Sequence, residues 1–402
     1  MSRRSIDQVE VEGSRVLVRV DFNVPLGADG EILDDRRIRM AIPTLRSVLD
    51  RGGSLVLMSH LGRPSGTGYQ PEFSLEPVAA RLGELLENVR VGFPGTDCTD
   101  DATRAAVESI QPGDVIVLEN LRFHEGEKSG DPVFASRLAE YGDIYVNDAF
   151  GTAHRDHASM VAVPEAMSGR PRVAGLLLLK ELHFLSEAIE HARSPFIAVL
   201  GGAKVSDKLG AIRNLLPRVD AVIIGGGMAY TFLHAQGVEV GNSLLEEDMI
   251  PEARAVLDEA RDSDTRILLP VDHACAAGLD DAQGMSIEVG DIPPGRMGLD
   301  LGPESIAAAV ELLLGGGTIV WNGPMGVFER PPFDEGTRAV GMAAAEATDG
   351  GATSVIGGGE TAAAVDLFGL ASRVSHVSTG GGASLRMLEG RSFHSVDLLD
   401  QD

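Results

Sequence analysis

Short apolar runs alternate along the chain with longer segments of helical spacing. The runs are rich in Val, Ile and Leu, and each interval between them is long enough for a helix, which is typical of βα units and parallel sheets. We therefore predict an α/β protein. The predicted strands cover residues 15–22, 54–60, 114–119 and 143–146 in the first half, and 196–200, 221–224, 266–271, 318–321, 353–356 and 374–377 in the second.

The length of 402 residues favours two domains, because single hydrophobic cores rarely grow that large. Apolar side chains at Leu178, Leu182, Leu185 and Ile189 predict one amphipathic helix over 176–190. We expect this helix to join the lobes as a hinge element. The predicted boundaries are an N-terminal lobe over 1–175, the interdomain helix over 176–190 and a C-terminal lobe over 191–389. The acidic tail, 390–402, is too short for a domain, and its sequence leaves open whether it frays or packs back on a lobe.

The formal net charge of -26 restricts the possible binding partners. It repels polyanions, so nucleic acid and anionic membranes are poor candidates. The two cysteines, Cys98 and Cys275, have no neighbouring Cys and no metal-ligand spacing, which favours a reducing compartment. The first residues carry charges rather than a signal-peptide pattern, and no run of 18 apolar residues occurs, so we expect a cytoplasmic protein.

Polar side chains follow the predicted strands of the first half. Ligands in open parallel sheets bind beyond the carboxyl ends of the strands. Arginine offers a planar fork of donors for phosphate or carboxylate, and each charge-assisted hydrogen bond contributes about 1.5 to 3 kcal/mol. Any one arginine is as readily a surface ion-pair partner, but repetition at strand ends favours an anion site. The residues at or just beyond these ends are Asp21, Asn23, Arg37, His60, Arg63, Arg122, Asp148 and Arg155.

Glycines follow the strands of the second half instead, at 201–202, 225–227, 357–359 and 380–382. Glycine at a strand-to-helix turn lets backbone N–H groups approach a phosphate, although such turns are also common for packing reasons alone. Lysine usage sharpens this contrast, because the chain has four lysines against 30 arginines and places Lys204 and Lys208 beside the first turn. A compact, mobile ammonium suits phosphoryl groups. The pattern predicts a phosphotransferase that holds an anion on the first lobe and a nucleotide on the second.

Several nucleotide-enzyme fingerprints are missing from the sequence. It contains no Gly-Lys dipeptide of a Walker A loop, no GxGxxG after a strand and no protein-kinase catalytic loop. A kinase with this sequence belongs to a separate class.

The segments at the strand ends resemble phosphoglycerate kinases, and the resemblance extends over almost the whole chain. The matching strings of the first half are RVDFNVP at 19–25, SHLGRP at 59–64, LENLRF at 118–123 and NDAFGTAHR at 147–155. Those of the second half are GGAKVSDK at 201–208, WNGPMGVFE at 321–329, GGGET at 357–361 and STGGGA at 378–383. This many long strings in one order are very specific.

The resemblance implies two Rossmann-like lobes, each a parallel sheet flanked by helices, with the C-terminal tail returning to the first lobe. It implies a monomer that moves a phosphoryl group between 1,3-bisphosphoglycerate and ADP, with Mg²⁺ bound to ADP or ATP. The implied ligands of 3-phosphoglycerate are Asp21, Asn23, Arg37, His60, Arg63, Arg122 and Arg155. The implied nucleotide residues are Lys208, Gly298, Glu329, Gly358, Gly359, Glu360 and Thr361. The implied catalytic groups, which touch the transferred phosphoryl group, are Arg37, Lys204, Gly380 and Gly381 with the adjoining Gly382.

Two positions depart from the family pattern. Glu360 stands where Asp is usual, so the carboxylate that the family pattern places at Mg²⁺ lies one methylene further out and could act directly or through water. Asp156 stands where a small residue is usual, and it could pair with Arg155 and weaken its hold on phosphate.

No general base is found among the candidates, and the implied chemistry needs none. The acceptor is a carboxylate with a pKa of about 4, which is already ionised at pH 7. The remaining tasks are alignment and charge neutralisation of an in-line transfer, with closure of the lobes to exclude water. Arg63→Ala is expected to weaken phosphoglycerate binding, whereas Arg37→Ala and Lys204→Ala are expected to lower turnover.

Two other classes of protein compete with this interpretation. A two-lobed binding protein would show similar strand-end arginines, but it has no need of the Lys204 and Lys208 pair. A zinc enzyme could use His154, Asp156 and His157, but no accompanying cysteine or HExxH motif supports it.

Overall fold

The structure of the chain is a computed structural model that describes residues 3–402. The chain forms two compact units. The N-terminal unit extends to Leu182 and also includes the tail Ser392–Asp402, and the C-terminal unit covers His183–Arg391. The division between them falls inside one helix, Leu176–Glu190.

The N-terminal unit is built on a six-stranded sheet in which every neighbouring pair is parallel. The strand order is β3-β4-β2-β1-β5-β6. The strands are β1 (Arg15–Val20), β2 (Ser54–Met58), β3 (Val91–Gly92), β4 (Val115–Val117), β5 (Ile144–Asp148) and β6 (Arg172–Ala174). The central strands are almost wholly buried, as expected for Val- and Leu-rich runs covered on both faces.

Helices of this unit cover the sheet and begin at recognisable signals. Asp131, for example, accepts hydrogen bonds from the N–H groups of Val133 and Phe134, and Pro132 occupies the first helical position. The helices are α1 (Arg36–Leu49), α2 (Glu76–Leu85), α3 (Asp101–Glu108), α4 (Glu125–Ser129), α5 (Pro132–Ala139), α6 (Ala162–Ala166) and α7 (Leu176–Glu190).

The C-terminal unit contains a second parallel sheet and a small antiparallel one. The parallel sheet has the order β15-β14-β13-β7-β8-β9, and the antiparallel sheet the order β11-β10-β12. The strands are β7 (Phe196–Leu200), β8 (Ala221–Ile224), β9 (Arg266–Leu268), β10 (Asp272–Ala276), β11 (Ser286–Val289), β12 (Met297–Leu301), β13 (Thr318–Asn322), β14 (Thr353–Gly357) and β15 (His376–Val377). The helices are α8 (Leu209–Leu215), α9 (Ala229–Ala235), α10 (Ile250–Asp262), α11 (Pro303–Leu314), α12 (Glu335–Asp349), α13 (Gly359–Leu367) and α14 (Gly381–Leu388).

The C-terminal tail groups with the N-terminal unit and carries α15 (His394–Asp397). Ser395 Oγ donates a 2.7 Å hydrogen bond to the carbonyl of Ala153, and Asp400 accepts from the N–H of Arg4 and donates to the carbonyl of Arg172. These backbone bonds fix the tail beside β6.

The predicted α/β fold with two parallel sheets flanked by helices is confirmed. Two short strands of the first sheet, β3 and β6, and the whole antiparallel sheet were not predicted. Both cysteines are free and buried. Among residues 3–402, no helix combines the length and apolar character needed to cross a membrane.

Candidate active site

The carboxyl end of β1 places Asp21 opposite the first turn of α1. Arg37 Nη1 donates a 2.6 Å hydrogen bond to Asp21 Oδ2, and the Asp21 side chain is only 7% exposed while that of Arg37 is 31% exposed. A nearly buried carboxylate thus orients a half-buried guanidinium whose remaining donors are available to a ligand.

His60, after β2, lies among positive charges. Its Nδ1 is 3.1 Å from Arg19 Nη2, and the ring is buried. Burial, together with the guanidinium groups of Arg19, Arg122, Arg155 and Arg37, holds the pKa of His60 well below its usual range. The imidazole is therefore neutral at pH 7, and these arginines from separate elements lie close enough to act on one ring.

Gly62 is clamped between two predicted site residues. Its N–H donates to Asn23 Oδ1 at 2.8 Å, and its carbonyl accepts from Arg122 Nη1 at 2.6 Å. A Cβ at this position would lie 2.4 Å from the Phe73 ring, and the backbone has a φ of +60°, so only glycine fits. The next residue, Arg63, is exposed to solvent.

The fully buried Asn120 holds the backbone of Arg122 in place. Asn120 Oδ1 accepts from the N–H of Arg122 at 3.0 Å, and its Nδ2 donates to the carbonyl groups of Leu61 and Phe73. Burial, with the charges of Arg155 and Arg19, lowers the pKa of Arg122 to about 10, so its guanidinium remains charged at pH 7. Its buried Nε has no hydrogen-bond partner among the described residues, as expected where an anion supplies one.

Arg155 follows β5 and is half-buried. Burial is the main cause of its lowered pKa, and Asp21, Arg19, Arg63 and Arg37 all act on it electrostatically. Arg155 therefore belongs to the same cluster. The pairing with Asp156 that the sequence left possible is not seen, because Asp156 is exposed and forms no ion pair with Arg155 within residues 3–402.

A buried network that was not predicted from the sequence supports this cluster of arginines, called the basic pocket below. Arg19 is fully buried, and its Nε donates to Ser159 Oγ at 2.9 Å. Ser159 Oγ donates in turn to Glu127 Oε1 at 2.6 Å. A charge inside a strand of otherwise apolar residues was the available signal, since a buried arginine needs an acid or a polar relay.

Asp148 stabilises the fold and is not part of the basic pocket. Its Oδ1 accepts from the N–H groups of Leu177 and Leu178 at the start of α7, and the side chain is fully buried. Asp148 was one of the strand-end residues noted in the sequence, but its role in the structure is to cap α7.

The zinc alternative finds no support among the described residues, where His154, Asp156 and His157 do not gather as metal ligands. Instead, His157 Nδ1 lies 3.7 Å from Glu127 Oε1. Burial and the charges of Arg122 and Arg155 lower the pKa of His157 to about 4, so it is neutral at pH 7.

Two of the four glycine turns of the C-terminal unit, 357–359 and 380–382, line a cleft with a volume of about 590 Å³, and the turns at 201–202 and 225–227 border a second, smaller cavity. Lys208 Nζ donates a short hydrogen bond to Asn322 Oδ1 at the end of β13. Burial lowers the pKa of Lys208, whereas Asp207, Glu360 and Glu389 act against that shift. The buried Nδ2 of Asn322 has no partner among the described residues and offers a donor to a ligand in the cleft. Asn322 was not predicted as a site residue, because the glycines after these strands were expected to bind the ligand.

The first turns of α13 and α14 meet in this cleft. A Cβ on Gly381 would lie 3.1 Å from the backbone N of Gly359, so the free N–H groups of two helices face one space. Gly358, Gly359, Glu360, Thr361, Gly381 and Gly382 line the cleft. Thr361 Oγ1 also accepts from the N–H of Gly323 at 2.7 Å, which ties α13 to the loop after β13.

Two of the predicted catalytic groups of the C-terminal unit lie apart from the lining of this cleft. Gly380 is buried behind it at the N-cap of α14. Lys204 is exposed in the loop after β7.

A second cavity of about 250 Å³ holds the remaining predicted nucleotide residues, Gly298 and Glu329. Its other walls include Tyr230, Leu244 and Met325, so it is largely apolar, and Glu360 borders both spaces. A small apolar cavity beside a cleft with helix N-termini suits a heterocyclic base next to its phosphates.

The acidic side chains of the cleft fit a magnesium ion. Asp207 and Glu360 are exposed and offer carboxylate oxygens beside Lys208, and Mg²⁺ prefers such hard ligands while it keeps several waters. The cleft contains no thiol or imidazole among its described lining residues that would favour a softer metal.

Comparisons with known proteins agree on one family. Residues 6–391 match the family model described as phosphoglycerate kinase. The chain is 54% identical to "Phosphoglycerate kinase" of Rhodopirellula baltica, with 100% of both chains covered, and 50% identical to "Phosphoglycerate kinase" of Chloroflexus aurantiacus, with 99% of each covered.

Solved structures agree with the sequence relatives. The chain is similar to phosphoglycerate kinase from Coxiella burnetii, with a TM-score of 0.86, 38% identity and coverage of 99% of this chain and 98% of that one. It is also similar to phosphoglycerate kinase from Pyrococcus horikoshii OT3, with a TM-score of 0.84, 32% identity and the same coverage. With its two parallel sheets, its arginine-lined pocket and its glycine-lined cleft, the chain belongs to the phosphoglycerate kinase family.

Proposed function

We propose that the basic pocket of the N-terminal unit binds 3-phosphoglycerate and that the cleft of the C-terminal unit binds the magnesium nucleotide. The activity of the family is reversible phosphoryl transfer between 1,3-bisphosphoglycerate and ADP, which gives 3-phosphoglycerate and ATP. The chain is a phosphotransferase with a carboxyl group as acceptor, and it uses Mg²⁺ with the nucleotide.

The observation that carries the residue assignment is the environment of His60. Four guanidinium groups act on this one buried ring, although they come from β1, α1 and the segments after β4 and β5. Such convergence of positive charge is costly without an anion, and 3-phosphoglycerate carries both a phosphate and a carboxylate. A neutral His60 serves as a hydrogen-bond partner rather than as a base.

The substrate roles follow from exposure and from partners. Arg122 and Asn23 hold Gly62 and so fix the loop that carries the exposed Arg63, which grips the anion from the solvent side. Asp21 orients Arg37, whose remaining donors bind the phosphoryl group during its transfer. Arg155 completes the positive field.

The nucleotide roles follow from the two neighbouring cavities. The apolar cavity at Gly298 takes the base, and Glu329 at its rim accepts hydrogen bonds from the sugar hydroxyls. Lys208, Asn322 and the first turns of α13 and α14 donate to the phosphates in the cleft. When bound with the nucleotide, Mg²⁺ neutralises phosphate charge, and Glu360 and Asp207 are the residues that would hold it, directly or through water.

Charge neutralisation at the transferred group comes from Arg37, from the exposed Lys204 and from the turn at Gly380 to Gly382. These groups stabilise the charge of an in-line transition state, and no proton has to be removed from the ionised acceptor. Direct transfer requires each unit to deliver its ligand to the other. We therefore propose closure of the units during turnover, with α7 as the hinge element, which also keeps water from the acyl phosphate.

The test is a coupled assay that measures ATP formed from ADP and 1,3-bisphosphoglycerate, with and without Mg²⁺. We expect ATP formation that depends on Mg²⁺ and is strongly reduced in Arg37→Ala. A folded protein that binds both ligands and forms no ATP would instead be the two-lobed binding protein considered above.

We also propose that the chain acts as a monomer in the cytoplasm. Two free, buried cysteines are compatible with a reducing compartment. Light scattering coupled to size-exclusion chromatography tests the monomer, and cell fractionation with an antibody tests the location.

A further inference from the structure

Three potential metal ligands gather in the N-terminal unit, outside both pockets. Asp97 and Cys98 lie on the loop after β3, and His124 directly follows the short helical turn Leu121–Phe123 after β4. Because β3 and β4 are neighbouring parallel strands, the loops that follow them meet at the same edge of the sheet. The fold thus joins residues that are far apart in sequence.

The geometry of the three side chains approaches that of a metal site. One ligand atom from each of Asp97, Cys98 and His124 lies within 4.8 Å of the other two, and Asp97 Oδ1 is 3.1 Å from His124 Nε2. Zinc bonds of about 2.0 to 2.3 Å place tetrahedral ligand atoms roughly 3.3 to 3.8 Å apart. The three ligand atoms thus lie within about 1.5 Å of the spacing that a tetrahedral zinc ion requires.

Neighbouring groups already orient two of the ligands. Asp97 Oδ1 accepts from the N–H and the hydroxyl of Thr99 at 2.7 and 3.0 Å. The His124 ring stacks on Phe134 at a centroid distance of 4.9 Å. Such outer contacts hold metal ligands in place in proteins.

A buried hydroxyl without a partner provides an independent observation. Tyr141 is 2% exposed, and its Oη makes no hydrogen bond among the described residues. Tyr141 comes two residues after α5, the helix whose Phe134 ring stacks on His124. A buried donor without an acceptor points to a missing group, such as a water held by an ion.

We propose that Asp97, Cys98 and His124 bind one Zn²⁺ ion, with water as the fourth ligand. A thiol and an imidazole select a borderline metal over Mg²⁺, in contrast to the oxygen ligands of the nucleotide cleft. Binding forms a bond from Cys98 Sγ to the metal, breaks the S–H bond and releases that proton to solvent. The exposed fractions of the Asp97 and His124 side chains, 42% and 26%, leave a path for the ion and for the proton.

The ion would tie together two segments that carry other functional groups. His124 is the N-cap residue of α4, which bears Glu127, and it lies two residues after Arg122. Zinc binding is therefore expected to stabilise the full chain against heat.

The test uses Co²⁺ as a spectroscopic probe on the full chain without an affinity tag, with excess Mg²⁺ present to block oxygen-only sites. We expect one Co²⁺ per chain, a thiolate-to-cobalt charge-transfer band in the near ultraviolet and visible bands of tetrahedral cobalt. Zn²⁺ should displace the probe and raise the melting temperature.

Matched variants assign the ligands. Cys98→Ser should lose the charge-transfer band, and His124→Gln, whose side chain is partly exposed, should weaken Co²⁺ binding at least 10-fold. Cys275→Ser removes the other buried cysteine and should keep the band. Circular dichroism checks folding, and if Cys98→Ser does not fold, the His124→Gln and Cys275→Ser pair decides.

The proposal is overturned if the wild-type chain shows no thiolate band, or if the band survives Cys98→Ser or is lost in Cys275→Ser. Full affinity in His124→Gln also overturns it. ATP formation is measured separately, so failure of the metal site leaves the proposed kinase activity unaffected.

Discussion

Arg37 Nη1 donates a 2.6 Å hydrogen bond to Asp21 Oδ2, and this contact links α1 to the end of β1. The pairing leaves Arg37 half-buried, with donors free for a ligand, while Asp21 is almost covered. The acid therefore aims the cation, although an acid in an anion pocket at first looks unfavourable.

Asp21→Asn should disturb this alignment. Loss of one charge-assisted hydrogen bond, about 1.5 to 3 kcal/mol, predicts a decrease of about 10- to 100-fold in kcat/KM for 3-phosphoglycerate. Steady-state kinetics in the ATP-consuming direction measures the effect. Asp29→Asn, an exposed aspartate further along the same loop, is the control and should behave like the wild type.

Arg63→Ala should act mainly on affinity. Arg63 is exposed beside the clamped Gly62, and we expect it to contribute equally to binding in the ground state and in the transition state. We expect KM for 3-phosphoglycerate to rise about 10-fold or more with kcat little changed. Arg39→Ala, which removes an exposed arginine paired with Asp35, is the control. A variant that loses turnover at unchanged KM would contradict this role.

Lys204→Ala should act on turnover instead. If the ammonium reaches the phosphoryl group only during transfer, kcat falls on the order of 100-fold or more while nucleotide KM changes little. Arg37→Ala should show the same signature with 3-phosphoglycerate. Arg261→Ala removes an exposed cation elsewhere in the C-terminal unit and provides the comparison. Unchanged turnover in Lys204→Ala would remove that lysine from the mechanism.

Gly298→Ala should close the apolar cavity. A Cβ on Gly298 would lie 1.9 Å from Tyr230 Oη, so the ring has to move into the proposed base site. We expect weaker ATP and ADP binding by calorimetry together with a lower melting temperature. In Gly278→Ala the new Cβ meets nothing within 4 Å, and this variant should bind nucleotide normally. Equal nucleotide affinity in the two variants would move the base site elsewhere.

The strand rhythm predicted the two parallel sheets because each long Val- and Leu-rich run is buried on both faces. It missed β3 and β6 because neither stands out as a separate apolar run: β3 is only Val-Gly, and β6 is Arg-Val-Ala shortly before the apolar start of α7. It also missed the antiparallel sheet, whose strand β10 reads Asp-His-Ala-Cys-Ala and has neither an apolar run nor a clear alternation.

The candidate site likewise contains residues that could be predicted from the sequence and residues that could not. Side chains next to strand ends could be predicted, because a parallel sheet gathers its carboxyl ends at one edge. For Arg19 the sequence offers only a charge inside an apolar strand, and its partners could not be predicted, since Ser159 and Glu127 come from distant segments. The neighbours Cys98 and His124 were missed for the same reason, because only the pairing of β3 with β4 brings them together.

Asp148 predicts an unusual dependence of stability on pH. Burial raises its pKa to about 7, although it caps α7 through Leu177 and Leu178. Between about pH 4, where an unfolded Asp ionises, and pH 7, the native state holds the extra proton. The free energy of unfolding therefore falls as pH rises through this window.

Asp148→Asn removes the titration and keeps an oxygen for the cap. Relative to the wild type, the variant should gain on the order of 2 kcal/mol in the free energy of unfolding between pH 5 and pH 8. Urea denaturation at several pH values measures this. Asp143→Asn, at an exposed aspartate just before β5, reports the general effect of losing one carboxylate. A constant difference between Asp148→Asn and the wild type would show that Asp148 is ionised throughout.

Gly62 has a consequence for how tolerant this pocket is to mutation. The residue has no side chain to contribute, yet its amide and carbonyl connect Asn23 to Arg122, and the Phe73 ring fills the space that any larger residue would need. In a library that samples every amino acid at every position, position 62 should therefore be as intolerant as the arginines around it. A binding site catalogued by its side chains alone would omit one of its least replaceable members.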